Sequence, residues 1–342
     1  MTSNSKSIYM KSRMYKEILQ IPDSITRTIE SLNDSLSEAS RLIKRSKIIF
    51  LTGSGTSYNA SVIGEIALVN NGRAAIAIRS SEFSHFLPKK KINAAVILLS
   101  QSGESREIKN ALEVAKKRGY VTIGVTNESR SFLATECDLS LITRAGKELS
   151  LAATKTFATE VVTLLALIYH STTDENIDVK MKGIKEVARQ VESLLNQSDR
   201  LSELALRISG KVVFLGNGYL HAAAMEGALK MGETTGVSAQ AFPIGEYLHG
   251  PIQSLSRDDT VIILEGSDVI EVRRVKARIK RYCKNMIILG SSRGNDFLLP
   301  ESRYPELLSP VYAVSIQLLA NSRALSMGLD PDHPDRLKKI VR

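Results

Sequence analysis

The sequence predicts an α/β protein with two tandem domains, each a doubly wound parallel sheet with helices on both faces. Three observations predict this class. One order of segments occurs twice, short β-branched runs alternate with longer helical patterns, and glycine- and serine-rich turns follow the runs. This alternation is typical of parallel strands joined by crossover helices. A chain of 342 residues has room for two domains of ordinary size.

The duplication is visible as three pairs of similar segments. They occur in the same order, with an offset of about 164 residues between the members of each pair. The pairs are Lys47–Gly55 with Lys211–Gly218, Ala94–Gly103 with Asp259–Asp268, and Val121–Asn127 with Asn285–Ser292. A constant order and offset indicate that one α/β unit is present twice.

The apolar runs predict the strands, and the longer amphipathic stretches predict the helices. Predicted strands of the first sheet are Ile48–Leu51, Val96–Leu99, Thr122–Val125 and Leu139–Ile142; those of the second are Val212–Leu215, Val261–Leu264 and Met286–Leu289. Arg106–Arg118 and Thr156–His170 are long enough for crossover helices. We expect an N-terminal helical arm at 1–45, a first domain at 46–185, a second at 186–325 and a C-terminal tail at 326–342.

Composition places the chain among folded globular proteins. Its hydrophobic fraction of 43% and charged fraction of 24% exclude disordered, collagen-like and disulfide-rich classes. Cys137 and Cys283 form no CxxC or Cys/His pattern, which indicates buried or half-buried thiols in a reducing compartment. The segment MTSNSKSIYMKSRMYKE lacks the apolar core of a secretory signal, and the longest apolar stretch, Val161–Tyr169, is about half of a bilayer span. We therefore expect a cytoplasmic protein without a membrane partner.

The net charge of +10 is concentrated in Arg273–Lys284 and in the C-terminal tail. The simplest interpretation is a solvated helix face, and a second is attraction of an anionic substrate. Nucleic-acid binding is the least favoured, because no helix-turn-helix, zinc finger or RNP-type aromatic motif accompanies the charge. We expect no nucleic-acid partner.

Serine- and glycine-rich loops follow two strands of the first predicted sheet. Open parallel sheets bind ligands where strands end and helices begin, and free N–H groups at a helix start favour an anion. Ordinary N-caps are the alternative, but two such loops in one sheet favour phosphate binding. The predicted phosphate-binding residues are Gly55, Thr56, Ser57, Ser100, Gln101, Ser102 and Ser105. The chain lacks GxxxxGK[ST] and the glycine spacing of a dinucleotide fingerprint, so we predict no cofactor.

A second group of polar residues lies on a predicted helix of the second repeat. Glu226, Lys230 and Glu233 are spaced i, i+4, i+7 and share one helical face. A solvated row of salt bridges is one interpretation. The small residues Ala222–Ala224 and Gly227–Ala228 favour close packing instead, which would perturb and couple the pKa values of the glutamate–lysine pair for proton transfer.

The loop Gly-Glu-Tyr-Leu-His-Gly-Pro holds His249 after an acid, Glu246. A histidine fixed in such a loop is a candidate acid/base group. The remaining histidines show no metal-ligand spacing, so we predict that no metal is bound.

Several motifs of the chain resemble those of one known family. GSGTSYNAS, LLSQSGES, Ser81–Phe83 and LAATKTF, followed by EGALKMGET, GEYLHGP and HPDRLKKIVR, are similar to motifs of the sugar isomerase (SIS) superfamily. The match runs in order from about Lys47 to Arg342. Within the superfamily the chain resembles the isomerase part of glucosamine-6-phosphate synthases and the shorter, stand-alone glucosamine-6-phosphate deaminases.

The resemblance implies roles for five residues. Glu233 would be the base for C1–C2 proton transfer, and Lys230 would support it. His249, oriented by Glu246, would open the pyranose ring in the neighbouring subunit's site, which implies a homodimer with composite active sites. Lys339, or the adjacent Lys338, would form a Schiff base with the open-chain ketose.

Two residues depart from the motifs of the synthases. Leu248 stands where they have a lysine, and Ala153 stands where they have a serine. Leu248 removes a cation from the site, which weakens the resemblance to a synthase, and Ala153 removes one hydroxyl.

We therefore expect an enzyme that interconverts glucosamine 6-phosphate and fructose 6-phosphate, with a hexose 6-phosphate as substrate and ammonia as product. One alternative is the isomerase part of a glutamine–fructose-6-phosphate aminotransferase whose glutaminase is a separate chain. Another is a sugar-phosphate sensor without catalysis. Binding alone needs neither Glu233 nor His249, so their presence favours an enzyme.

Overall fold

The structure is a computed structural model that describes residues 12–90, 92–172 and 176–337. Within these ranges the chain divides into two compact units. The first unit comprises residues 21–148 and 155–188, and the second comprises residues 12–20, 149–154 and 189–337. Each unit contains one five-stranded sheet.

The strands are, in chain order, β1 Ile48–Gly53, β2 Ala75–Arg79, β3 Ala94–Leu99, β4 Val121–Thr126, β5 Leu139–Ile142, β6 Val212–Leu215, β7 Ala239–Phe242, β8 Thr260–Glu265, β9 Asn285–Gly290 and β10 Phe297–Leu298. The α-helices are α1 Arg13–Ile18, α2 Ile21–Ser31, α3 Asn33–Lys44, α4 Thr56–Asn70, α5 Phe83–Phe86, α6 Arg106–Lys117, α7 Phe132–Glu136, α8 Lys155–Ser171, α9 Ile177–Leu195, α10 Ser198–Ala205, α11 Tyr219–Thr235, α12 Val269–Ile279 and α13 Leu308–Ser326. Short 3₁₀ turns occur at Ser80–Glu82, Glu246–His249, Pro251–Ser254 and Pro305–Leu307.

The two sheets have the same topology. The first has the order β2-β1-β3-β4-β5 and the second β7-β6-β8-β9-β10, and every pairing is parallel. The helix that follows the first strand of each repeat begins after a glycine in the same conformation, Gly55 at φ 54°, ψ −123° and Gly218 at φ 53°, ψ −123°. The predicted duplication of a doubly wound unit is confirmed.

The seven predicted strands are present, most of them longer by one or two residues. Three further strands, β2, β7 and β10, were not predicted. All three lie toward or at a sheet edge. β2 is apolar but alanine-rich and has two exposed residues, β7 contains the exposed Gln240, and β10 has only two residues. None is the buried β-branched run that is typical of a central strand.

Both cores lie between the sheet and the helices that cover it. In the first unit β3 is wholly buried, and α8, which packs on α2, α3 and α4, is buried along almost its whole length. In the second unit β8 is wholly buried, and α13 packs on α10 and α11. No helix of the described residues is long and apolar enough to cross a membrane.

Both cysteines are free thiols, as predicted. Cys283 is buried and Cys137 is half-buried. Burial raises the pKa of Cys137 to about 12, and burial also raises the pKa of Cys283. At neutral pH these thiols are therefore protonated and unreactive.

Helix α11 packs very closely against its neighbours because its inner face carries small residues. Ala222, Ala223 and Ala224 are fully buried. A Cβ atom added at Gly227 would lie 2.7 Å from Ile316 Cγ2 and 2.8 Å from Phe214 Cε1, well inside van der Waals contact. The glycine therefore sets how near α11 approaches α13 and β6.

We predict that Gly227→Ala lowers the free energy of unfolding by about 1–3 kcal/mol, because the methyl group overpacks this contact. Gly232→Ala is the matched control on the same helix. Its added Cβ meets only the carbonyl oxygen of Val237, at 3.8 Å. Alanine is the better helix former, so this change raises the free energy of unfolding by about 0.5–1 kcal/mol. Urea unfolding followed by circular dichroism measures both, and effects of the same sign would contradict the packing argument.

Candidate active site

A buried lysine lies between two glutamates on α11. Lys230 Nζ is 2.6 Å from Glu233 Oε2 and 3.6 Å from Glu226 Oε1. The side chains of Lys230 and Glu226 are 1% and 0% exposed, whereas that of Glu233 is 22% exposed. The interpretation of this face as a solvated row of salt bridges is therefore wrong. Glu233 is the member of this trio that solvent reaches most readily.

The arrangement of Glu226, Lys230 and Glu233 determines which chemistry these side chains can support. A buried ammonium group requires compensating charge, and Glu226 and Glu233 supply it from the same helix. A carboxylate that is partly exposed and held by a fixed ammonium can take a proton from a bound carbon acid. The ammonium group can also stabilise negative charge that develops on a nearby oxygen.

The predicted acid/base histidine lies in a loop that follows β7. Glu246–His249 and Pro251–Ser254 form consecutive 3₁₀ turns separated by Gly250 at φ 154°. Tyr247 is fully buried and anchors the first turn, and burial raises the pKa of its phenol to about 12. Glu246 and His249 are both exposed, and neither makes a hydrogen bond or ion pair with any residue that the structure describes. That Glu246 orients His249 stays a prediction.

The first predicted phosphate loop, in the first unit, joins β1 to α4. Gly55 is the N-cap of α4, and Thr56 and Ser57 are buried in its first turn. The Ser57 hydroxyl donates a hydrogen bond of 2.9 Å to Glu160 Oε1. Glu160 was not predicted, and its carboxylate already uses the hydrogen of Ser57 that a phosphate would need.

The second predicted phosphate loop follows β3, which pairs directly with β1, so both loops lie at the same end of the sheet. Ser100 Oγ accepts a hydrogen bond from the N–H of Gly103 at 3.1 Å, and Ser102 Oγ accepts one from the N–H of Glu104 at 3.3 Å. Ser105 is the N-cap of α6, and its side chain makes no capping hydrogen bond. Within the described chain the hydroxyl hydrogens of Ser102 and Ser105 have no acceptor, so both can be donated to a ligand.

A cavity of about 410 Å³ adjoins this second loop. It is lined by Gln101, Ser102, Glu104, Glu128, Arg130, Ser131, Lys147 and Glu148. Sequence reasoning missed the two cations, Arg130 and Lys147. They lie in loops after β4 and β5, and the strand-end rule applied to those loops could have found them.

The lysine predicted to form a Schiff base, Lys339 or the adjacent Lys338, lies outside the described residues. Among the residues that are described, no three or more His, Cys, Asp and Glu side chains are arranged to hold a metal ion.

Comparison with protein families gives one match, in two segments. The family model described as the SIS domain matches residues 42–169 and 205–285. The chain belongs to the SIS domain family. The first SIS segment contains both serine-rich loops, and the second contains the Glu226–Lys230–Glu233 trio and the loop with His249.

Similar proteins carry related names. A glutamine–fructose-6-phosphate aminotransferase [isomerizing] of Sulfolobus acidocaldarius is 32% identical over 337 residues, which cover 96% of this chain and 56% of that protein. The chain thus spans little more than half the length of the curated relatives it matches. The structure of the C-terminal domain of glucosamine-fructose-6-phosphate aminotransferase from Francisella tularensis matches with a TM-score of 0.85 and 25% identity, covering 94% of this chain and 98% of that one. Glucosamine-6-phosphate deaminase of Thermotoga maritima has the same fold, with a TM-score of 0.78, 23% identity and coverage of 96% and 99%.

We predict that Lys230→Met lowers the free energy of unfolding by about 3–5 kcal/mol, because it leaves the buried carboxylate of Glu226 without its cation. The double variant Glu226→Gln/Lys230→Met removes both charges and recovers most of that loss. Urea unfolding of Lys230→Met, Glu226→Gln and the double variant measures the coupling between the two residues. Additive effects of the two changes would contradict the pairing.

Proposed function

We propose that this SIS protein interconverts glucosamine 6-phosphate and fructose 6-phosphate, and that it acts as a deaminase releasing ammonia. The observation that carries the proposal is the partly exposed carboxylate of Glu233, held 2.6 Å from the buried ammonium of Lys230. Proton transfer between C1 and C2 of a sugar phosphate needs a fixed base of this kind. The names of the similar proteins, an isomerizing aminotransferase and a glucosamine-6-phosphate deaminase, support the same substrate class.

The proposed reaction begins with ring opening by His249, oriented by Glu246. Glu233 then removes the C2 proton of the open-chain aldose while the C1 carbonyl oxygen takes a proton from water and becomes a hydroxyl, which gives an enolamine. Glu233 returns its proton to C1, and the amino nitrogen at C2 gives one proton to water and becomes an imine. Water adds to this imine and ammonia leaves, so the products are fructose 6-phosphate and ammonia. Lys230 holds the Glu233 carboxylate in place throughout, and Lys339 or Lys338 would form the Schiff base with the ketose in the reverse direction.

The phosphate of the substrate does not react, and we propose that it binds the loops that follow β1 and β3. The predicted phosphate-binding residues differ in whether their hydroxyl hydrogens are available to a phosphate. They are Gly55, Thr56, Ser57, Ser100, Gln101, Ser102 and Ser105. Ser102 and Ser105 have hydroxyl hydrogens available for a phosphate oxygen, whereas Ser57 donates to Glu160. Tight binding of the remote phosphate lets its energy position C1 and C2 at the base.

The base assignment predicts that Glu233→Gln abolishes turnover of glucosamine 6-phosphate while its dissociation constant stays within about tenfold of wild type. Glutamine keeps the size and the hydrogen-bond acceptor but cannot take the proton. Ammonia release measures turnover, and calorimetry measures binding. Glu113→Gln, an exposed position on α6, is the matched control and should keep full activity. If Glu233→Gln keeps most of its activity, the base is elsewhere and Glu226 is the next residue to test.

The phosphate assignment predicts that Ser102→Ala/Ser105→Ala raises KM for glucosamine 6-phosphate by at least about tenfold, since each hydrogen bond to a charged group contributes roughly 1.5–3 kcal/mol. Initial rates over a range of substrate concentrations measure KM. Binding of unphosphorylated glucosamine is the control and should change little. An equal effect on both sugars would place the phosphate in another loop.

We also propose that the protein is a homodimer in which His249 serves the partner's active site. His249→Ala and Glu233→Gln are each inactive in this scheme. A random mixture of the two regains up to about a quarter of wild-type activity, because half of the dimers are hybrids with one intact site of two. Ammonia release after subunit exchange measures the recovery. Failure to recover despite demonstrated exchange would mean that His249 acts in its own chain.

The name of the Sulfolobus relative, an aminotransferase, favours a second candidate function. As the isomerase part of such an enzyme, the chain would receive ammonia from a separate glutaminase chain. One assay separates the candidates, with glucosamine 6-phosphate in one arm and fructose 6-phosphate plus ammonia or glutamine in the other. Ammonia release in the first arm supports the deaminase. Binding of the sugar phosphate without turnover in either arm would indicate a non-catalytic sensor.

A further inference from the structure

The basic segment singled out in the sequence forms part of a cavity. In the second unit, a cavity of about 590 Å³ lies between α12 and the loop that carries His249. Three arginines line it, Arg274, Arg278 and Arg281, together with His249 and one acid, Glu271. The volume lies in the range of small-molecule sites.

The three arginines lie along one side of the helix and its end. Arg274 and Arg278 are one turn apart on α12, and Arg281 follows in the turn after the helix, so the row extends over roughly 10 Å. No carboxylate of the described residues lies within ion-pair distance of any of these guanidinium groups. Arg278 lies 5.9 Å from the ring of Tyr282, which is its one aromatic contact among the described residues. The guanidinium donors are therefore available to a ligand.

Hydrogen bonds join the start of the His249 loop to α12. The Asn217 side-chain oxygen accepts from the N–H of Ile244 at 2.9 Å, and its amide group donates to Glu271 Oε2 at 2.7 Å and to Asp268 Oδ2 at 3.0 Å. Gly245 has no side chain where the Glu271 carboxylate approaches; an added Cβ would lie 2.5 Å from Glu271 Oε1. Asn217 thus ties the His249 loop to α12, and the single acid of the lining is engaged in this structural role.

We infer that this cavity is a second oxyanion site, separate from the serine-rich loops of the first unit, and that it takes a small ligand of the phosphate or diphosphate kind. Three guanidinium groups and one carboxylate give the lining a net charge of +2, without counting His249. Guanidinium groups bind phosphate oxygens in pairs, and their spacing suits an anion with more than one charged group. The occupant lies against His249.

A solvated helix face and a nucleic-acid surface both fit this group of arginines less well than an anion site does. A solvated face does not require the arginines to share a cavity with a second segment of the chain. A nucleic-acid surface needs an extended basic groove or stripe with aromatic side chains for stacking, and Tyr282 does not line the cavity. A cavity of this size with its positive charges along one wall favours a compact anion.

The test is titration of the full chain with pyrophosphate and with inorganic phosphate, followed by isothermal calorimetry. The Ser102→Ala/Ser105→Ala background weakens binding at the loops of the first unit. In that background, Arg274→Gln/Arg278→Gln/Arg281→Gln should weaken pyrophosphate binding by at least about tenfold. The matched control is Arg273→Gln/Lys276→Gln/Lys280→Gln, which removes the same charge from the same segment but from residues outside the cavity lining. It should weaken binding by less than about threefold, because only long-range attraction is lost.

Three results would overturn the inference. Pyrophosphate that does not bind, or equal weakening by both triple variants, would leave only a solvated basic face. A DNA oligonucleotide that displaces pyrophosphate and loses affinity equally in both triple variants would indicate a nucleic-acid surface.

If the site is confirmed, repeating the titration with saturating fructose 6-phosphate identifies the source of the anion. Independent binding indicates a free effector, and mutual exclusion indicates a second anionic group on the substrate. None of these outcomes depends on turnover.

Discussion

The close contact of α11 with α13 and β6 is the constraint on which the second unit depends. Ile316 and Phe214 occupy the space that any side chain at Gly227 would need. The buried residues of α11 include Ala222–Ala224 and Gly227 together with Glu226 and Lys230, so this ion pair lies among closely packed protein and not in water. An ammonium group in such a place must be compensated. The close packing of α11 therefore excludes water from the Glu226–Lys230 pair, and the two buried charges must compensate each other.

Much of the fold follows from local pattern, and the exceptions have a physical cause. The central strands are continuous apolar runs because both of their faces are covered, as in β3 and β8. Such runs stand out in a sequence. The edge strand β2 has two exposed residues of five and β7 has one of four, and the two-residue β10 is too short to have a pattern. Their places depend on pairing with β1, β6 and β9, and this pairing is a tertiary contact that local sequence does not encode.

The candidate site likewise has features that the local sequence predicts and features that it does not. Helical spacing predicts that Glu226, Lys230 and Glu233 share a face, but it does not reveal that Glu226 is fully buried while Glu233 remains 22% exposed. That difference arises from elements far along the chain. The same holds for Ser57, whose partner Glu160 lies 103 residues away. For the basic segment the simplest interpretation was a solvated face, because only the fold brings its arginines to the loop of His249.

The two repeats keep one backbone and differ in the charge that they place at its equivalent turns. Gly55 and Gly218 have the same conformation, yet Ser100 and Gly103 at the end of the third strand of the first repeat correspond to Glu265 and Asp268 in the second. Glu265 is buried, and its Oε1 accepts hydrogen bonds from the N–H of Ser292 at 3.2 Å and from Asn295 Nδ2 at 2.7 Å. A carboxylate fixed there opposes a phosphate at the position where the first repeat offers hydroxyl donors. The end of the third strand is therefore suited to an anion in the first repeat and not in the second. The proton transfer that we propose uses α11, a helix of the second repeat.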